Sequence, residues 1–206
     1  DFEQFLKNLG IPIVLVDRDP VDWADAVMSD HASGTKLAVD HLLSLGHRRI
    51  ALLTGGRALY PARQRILGYE AAFAARGLPV EPELIQTGSF LSNAGFRFAS
   101  GLLGQRSPPT AIIAGGIDML SGVLRAIRSR GMAISRDISV IGSGNSELAE
   151  LHTPPIAVVS WDQAEVGRIA VALLLDRLRS GLGAEGRHVL VPNEFLLRAS
   201  VGSAPT

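Results

Sequence analysis

Asp137-Ile-Ser-Val-Ile-Gly142-Ser-Gly144-Asn-Ser-Glu-Leu-Ala-Glu-Leu-His-Thr153-Pro154-Pro155-Ile-Ala-Val-Val-Ser-Trp161 is the stretch whose reading decides the fold. Residues 138–141 read as a buried strand, and Gly142 and Gly144 as a tight turn. A short polar helix follows, then the rigid Pro154-Pro155 step, then a second apolar strand ending in Trp161. In open α/β sheets, ligands bind beyond the carboxyl ends of the strands. Two such ends within one segment predict a ligand cleft nearby.

Outward from this stretch, one unit recurs. A helix closes on a glycine, a strand follows, and a loop leads to the next helix. Leu45-Gly46-His47 precedes an expected strand at 50–53, Arg76-Gly77-Leu78 one at 84–87, and Arg130-Gly131-Met132 the strand at 138–141. Glycine just past a helix end takes the left-handed conformation without steric cost, and the next apolar residue packs back on the helix. Further strands are expected at 11–16 and 111–114, with a short one within 21–28. Helices are expected at 2–9, 33–45 (with Asp30 as N-cap), 61–75, 92–103 and 119–129. The last long helix, 162–178, carries Val166, Ile169, Ala170, Leu173 and Leu174 on one face. A glycine-rich turn at 181–186 leads to a strand at 189–191 and an extended piece at 194–198, and the tail from Gly202 should fray. Strict βα alternation implies an α/β fold with parallel sheets and right-handed crossovers.

The composition excludes several classes. With 47% hydrophobic and 19% charged residues in 206, the chain can pack a sizeable core. Its 20 Lys and Arg balance its 20 Asp and Glu, a poor footprint for nucleic acid, so DNA contact would need another part of the protein. The absence of cysteine excludes disulfides, thiolate catalysis and thiolate-bound zinc, and fits a reducing, cytoplasmic setting. The first residues have no basic segment before an apolar one, so no signal peptide is expected there. No apolar run approaches the roughly 18 residues that span a membrane.

No chemistry-bearing motif emerges. There is no G-x-G-x-x-G, Walker loop, G-x-S-x-G elbow or H-E-x-x-H. His41 and His47 flank a helix end and read as solvated or capping groups, as do His152 and His188. Glu147 and Glu150 read as a solvated helix face rather than a catalytic pair. No catalytic, metal or cofactor site is therefore expected, and an enzyme is disfavoured.

Five loop or helix-start positions suit a ligand. Asp17 ends a strand, or merely forms a turn before Pro20. Arg65 lies in the first turns of a helix, where cations are mildly disfavoured, which suggests an anionic or hydroxylated partner. The alternative is a long surface side chain pairing with a carboxylate. Phe90, on a loop in a chain with 5% aromatics, suits a sugar ring or base, or a hydrophobic staple. Gly115-Gly116 permits close backbone approach, or only a tight turn. Trp161 could stack on a ligand or plug a crossover.

Six segments taken together resemble the ligand-binding core of LacI/GalR-type transcription regulators, which are related to periplasmic sugar-binding proteins. They are Ile11-Pro-Ile-Val-Leu-Val-Asp17-Arg18, His41-Leu-Leu-Ser-Leu-Gly46-His47-Arg48-Arg49-Ile50-Ala51, Ala62-Arg63-Gln-Arg65-Ile-Leu-Gly68-Tyr69, Pro109-Thr-Ala-Ile-Ile-Ala114, Asp137-Ile-Ser-Val-Ile-Gly142 and Thr153-Pro154-Pro155-Ile156. Each is weak alone; six in order and spacing are specific. The resemblance implies two Rossmann-like lobes joined by three crossovers, with an effector between them. It places 1–28 and 162–187 in an N-terminal lobe that looks truncated, and 29–159 and 188–206 in the C-terminal lobe. The crossovers would fall near Met28-Ser29, Ser160-Trp161 and His188.

It further implies a homodimer through the C-terminal lobe, using the helix at 146–152 and the helices beginning at Leu91 and Leu120. Operator DNA would be bound by an N-terminal headpiece absent from this chain. A stand-alone solute-binding protein of a transporter is the alternative, and would need a secretion signal. Carried over by position, Asp17 and Arg65 match residues that hydrogen-bond the effector, and Phe90 matches the residue that stacks on it. Met28 and Trp161 match cleft-lining positions. Gly116-Ile117 stands where the family usually has Asn-Asp, and Gly144, between Ser143 and Asn145, where it has Asp. Each lost anchor removes about 1–3 kcal/mol of hydrogen bonding to a sugar. The expectation is a larger or less hydroxylated effector filling the space these glycines leave. The competing one is a regulator that has lost its small-molecule response.

Overall fold

A computed structural model describes residues 2–181 and 185–205. The chain divides into two compact units. The smaller holds the segment up to Asp30 with Asp162–Pro192; the larger holds His31–Trp161 with the segment from Asn193 on. Among the described residues, no helix is long and apolar enough to cross a membrane.

The larger unit is a six-stranded sheet between two helical layers. Its strands are β3 (Ile50–Gly55), β4 (Ile85–Gly88), β5 (Ala111–Ala114), β6 (Ser139–Ser143), β7 (Ala157–Trp161) and β9 (Asn193–Leu196). The order is β4-β3-β5-β6-β7-β9, parallel except for β9, which runs antiparallel to β7. Its helices are α2 (His31–Ser44), α3 (Tyr60–Ala74), α4 (Ser92–Leu103), α5 (Ile117–Ser129) and the short α6 (Glu147–Leu151).

Successive strand side chains point to opposite faces, so a sheet covered on both sides needs apolar residues at every position. That is the pattern here. Ala51 and Leu53 of β3, Ile112 and Ala114 of β5 and Val158 of β7 pack into one core with α4 and α5. Ile50, Leu52, Ala111, Ile113, Ala157 and Val159 pack into the other with α2 and α3.

The glycine-terminated helices take the expected form. Gly46, Gly77 and Gly131 have φ of 89°, 63° and 66°. The residue after each donates its N–H back five residues: His47 to Leu42 O, Leu78 to Phe73 O, and Met132 to Ile127 O, at 3.2, 3.0 and 3.3 Å. This is the Schellman closure that only a left-handed residue permits cheaply.

The smaller unit contains α1 (Phe2–Asn8), β1 (Val14–Val16), β2 (Asp25–Ser29), α7 (Gln163–Ser180) and β8 (His188–Val191). Its sheet is parallel, in the order β1-β2-β8. Asp162 caps α7, its carboxylate accepting from Glu165 N at 2.9 Å. Buried Asp25, on the central strand, holds the unit together. It accepts from Arg177 Nε and Nη2 at 3.0 and 2.8 Å, and from Arg187 N and Nη2 at 2.8 Å each. Burial pushes its carboxyl up, but the donors from Arg177 and Arg187 outweigh that and hold it well below the usual carboxylate range.

Three expectations need correction. His188–Val191 belongs to the smaller unit, because its register on β2 pairs Val27 with Val189. The third crossover therefore falls at Pro192–Asn193 instead of near His188. The tail is tied down rather than frayed: Gly202 N donates to Ser139 Oγ at 3.0 Å and Ala204 N to Leu45 O at 3.0 Å. His47 is buried, not solvated. Its Nδ1 accepts from Thr110 Oγ1 at 2.8 Å and its Nε2 donates to Gly202 O at 3.0 Å, so it fastens the tail to the starts of three strands. Part of the glycine-rich turn expected at 181–186 lies outside the described residues.

Candidate functional site

In a parallel sheet all carboxyl ends lie along one edge, so residues far apart in sequence meet there. Phe90 follows β4, Gly116 follows β5, Gly144 follows β6, and Trp161 ends β7. Arg65 stands in the second turn of α3, which begins after β3. His31 is the first residue of α2.

Their contacts close into a ring. The Arg65 guanidinium sits 5.7 Å from the centre of the Phe90 ring, a cation–π distance. Its Nη2 donates to His31 Nδ1 at 3.3 Å. His31 meets Trp161 edge-on, with centroids 5.2 Å apart and planes at 84°. A Cβ at Gly144 would lie 2.6 Å from Ile117 Cγ1 and 3.6 Å from Trp161 Cη2. A Cβ at Gly116 would lie 2.9 Å from Phe90 Cδ1. Arg65, Phe90, Ile117, Trp161 and His31 thus form a continuous circuit, with the glycines as its narrow links.

The glycines do not leave room for a larger effector, as the sequence suggested. Phe90 lies against both Gly55 and Gly116, and Ile117 occupies the space beside Gly144. Their absent side chains are replaced by neighbouring apolar ones. Gly144 also has a φ of 86°, a conformation that β-carbon residues adopt at a cost. Arg65 is 4% exposed, so it is not a surface side chain. Its head group is held in place by its surroundings, so little entropy is lost on gripping an acceptor. The hydroxyl of Thr54, near the end of β3, is buried without a hydrogen-bond partner, next to Gly115.

Two of the sequence candidates, Asp17 and Met28, lie in the smaller unit. Asp17 directly follows β1 with a φ of 48°, which Asp tolerates better than most residues. Its Oδ1 accepts from Ser29 N at 2.8 Å, fastening the carboxyl end of β1 to that of β2, where Met28 is buried. The other five, Arg65, Phe90, Gly116, Gly144 and Trp161, are brought together in the larger unit. Sequence reading missed His31, and noted Ile117 only as part of the pair that replaces Asn-Asp. Both are first residues of helices that had been expected to start two residues later, and that position after a strand end was the signal available.

Among the described residues, no group of three or more His, Cys, Asp or Glu side chains could hold a metal ion. Asn145 is committed elsewhere: its Nδ2 donates to Glu150 Oε1 at 2.9 Å, and its Oδ1 accepts from Arg198 Nη2 at 2.8 Å.

Comparison with known proteins places this arrangement. Residues 39–201 match the family described as a periplasmic binding protein-like domain. The ribose operon repressor of Escherichia coli (strain K12) is 33% identical over 183 residues, covering 88% of this chain and 56% of that protein. The chain thus spans little more than half the length of this curated relative. A solved LacI transcriptional regulator from a Rhodococcus species is 29% identical, with a TM-score of 0.87, covering 100% of this chain and 76% of that one. A LacI family transcriptional regulator from Enterococcus faecium, solved with bound ribose, is 26% identical with a TM-score of 0.84, covering 98% and 75%. The α/β fold and these likenesses agree: the chain belongs to the periplasmic binding protein-like family and is similar to LacI-type transcription regulators within it.

Proposed function

We propose that this chain is the effector-sensing and dimerisation core of a LacI-type transcription regulator. The observation that carries the reading is the circuit of Arg65, Phe90, Ile117, Trp161 and His31 at the carboxyl ends of the larger unit's strands. An aromatic platform and a buried guanidinium fork suit a small molecule. Nothing in the arrangement pairs a nucleophile with a base. Arg65 hydrogen-bonds the effector, and Phe90 and Trp161 contact its faces. The smaller unit corresponds to the N-terminal lobe of the family and the larger to the C-terminal lobe.

Effector binding then acts by differential affinity for two conformations of the regulator. That shift changes the affinity for operator DNA, which a headpiece outside this chain would hold. A homodimer would form through α4, α5 and α6, where Leu148 and Leu151 are 40% and 80% exposed. The E. faecium relative is described with bound ribose, which supports a small-molecule effector here. The test is a thermal-shift panel of sugars, nucleosides and organic acids. At least one compound should raise the melting temperature by several degrees, and Arg65→Ala should abolish that rise. A panel in which nothing shifts the wild type would overturn the reading.

A further inference from the structure

The polarity of the circuit is uneven, and this bears on what it recognises. Arg65 and His31, on one arc, are 4% and 2% exposed. The surfaces left facing outward are Phe90 and Trp161, each half-buried, and Ile117, which is 39% exposed. An isoleucine at the first position of a helix is unusual in an aqueous loop, because that turn favours polar and acidic residues. Here its Cγ1 and Cδ1 press towards Gly144, beside the Trp161 ring, and join the two aromatic surfaces into one apolar wall. Two polar side chains that flank the wall are already engaged, Asn145 by Glu150 and Arg198, and Ser89 Oγ by Leu91 N at 3.2 Å; the Thr54 hydroxyl and the Asn193 amide, which lack partners, are buried.

Resting on the effector-sensing reading above, we infer that Ile117 sets specificity, and that the effector presents a planar, unsaturated ring to this wall instead of a hydroxyl-covered sugar ring. The reason is the cost of desolvation. A sugar ring can stack its CH face on one aromatic, but its equatorial hydroxyls must then find partners around the ring edge. Hydroxyls turned towards Ile117 and Trp161 would lose water and gain nothing. An aromatic ring has no such groups, gains from edge and face contacts with Phe90 and Trp161, and leaves Arg65 for an acceptor atom on the ring or its substituent.

The experiment is calorimetric titration of the protein with adenine, indole and benzoate against ribose, glucose and cellobiose, repeated with Ile117→Asp. Asp suits the first turn of a helix, so the variant should fold, and its circular dichroism and melting curve check this. One planar compound should bind at least tenfold more tightly than any of the sugars. Ile117→Asp should weaken that compound at least tenfold and improve ribose. If a sugar binds more tightly than every planar compound, the specificity inference fails while the effector reading stands. If Ile117→Asp leaves the planar compound's affinity unchanged, the role of Ile117 fails. If neither group binds, the effector reading itself fails, and the inference with it.

Discussion

Replacing Asp25 with Ala should unfold the smaller unit well before the larger one. Asp25 is fully buried in the central strand of a three-stranded sheet, and Arg177 opposite it is 4% exposed. Removing one partner of a buried ion pair costs about 3–5 kcal/mol, because the other charge is left desolvated. Arg177 keeps its bond to Glu185 O at 2.6 Å, which puts the expectation near the lower end, about 3 kcal/mol. With a urea dependence of about 2 kcal/mol per molar, the midpoint should fall by roughly 1.5 M. The chain has two tryptophans, Trp23 in the smaller unit and Trp161 in the larger, so fluorescence in a Trp161→Phe background reports the smaller unit alone.

The pH dependence gives a second reading of the same pair. The folded carboxyl lies below its unfolded value, so its contribution is complete above about pH 4 and is lost as the pH falls through the folded value. The acid limb of the wild type should therefore be steeper than that of Asp25→Ala. Arg187→Ala, whose side chain is 47% exposed, should cost only about 1 kcal/mol. A midpoint for Asp25→Ala within about 0.3 M of the wild type would show that the buried pair does not hold the unit together.

Other positions give equally sharp expectations. A Cβ at Gly68 would overlap the Ala32 carbonyl where α3 crosses α2, so Gly68→Ala should destabilise by about 1–3 kcal/mol in a thermal melt. Gly101→Ala on α4 meets nothing within 4 Å and should stabilise by about 0.5–1 kcal/mol; matching signs would undo the packing argument. For His47, burial pushes the ring's pKa down and outweighs the Gly202 carbonyl, which pushes it up. The unfolded chain therefore takes up the proton first, and stability should fall as the pH drops below about 6.5. His47→Ala should cost about 1–3 kcal/mol at neutral pH and flatten that slope in pH-dependent denaturation. A slope equal to the wild type's would mean that another group is responsible.

The amino-acid sequence by itself determined the alternation of strands and helices, because that order is written locally. Gly46, Gly77 and Gly131 end their helices in the left-handed conformation, and the runs in β3, β5 and β6 are apolar on both faces as a doubly covered sheet requires. It also singled out Arg65, Phe90, Gly116, Gly144 and Trp161, since each stands where a strand gives way to a loop or helix. Tertiary structure alone decided what those residues do to one another. Asp25 finds Arg177 across 152 positions, and no local pattern shows that a strand will bury a carboxylate with its partner supplied. Only Pro192 separates β8 from β9, yet they enter different sheets, because pairing register is set by the neighbouring strand and not by composition. The glycines at 116 and 144 read as empty space until Phe90 and Ile117 are seen against them. Whether a missing side chain makes a cavity or an apolar wall depends on which neighbours fill it, and those neighbours come from other strand ends.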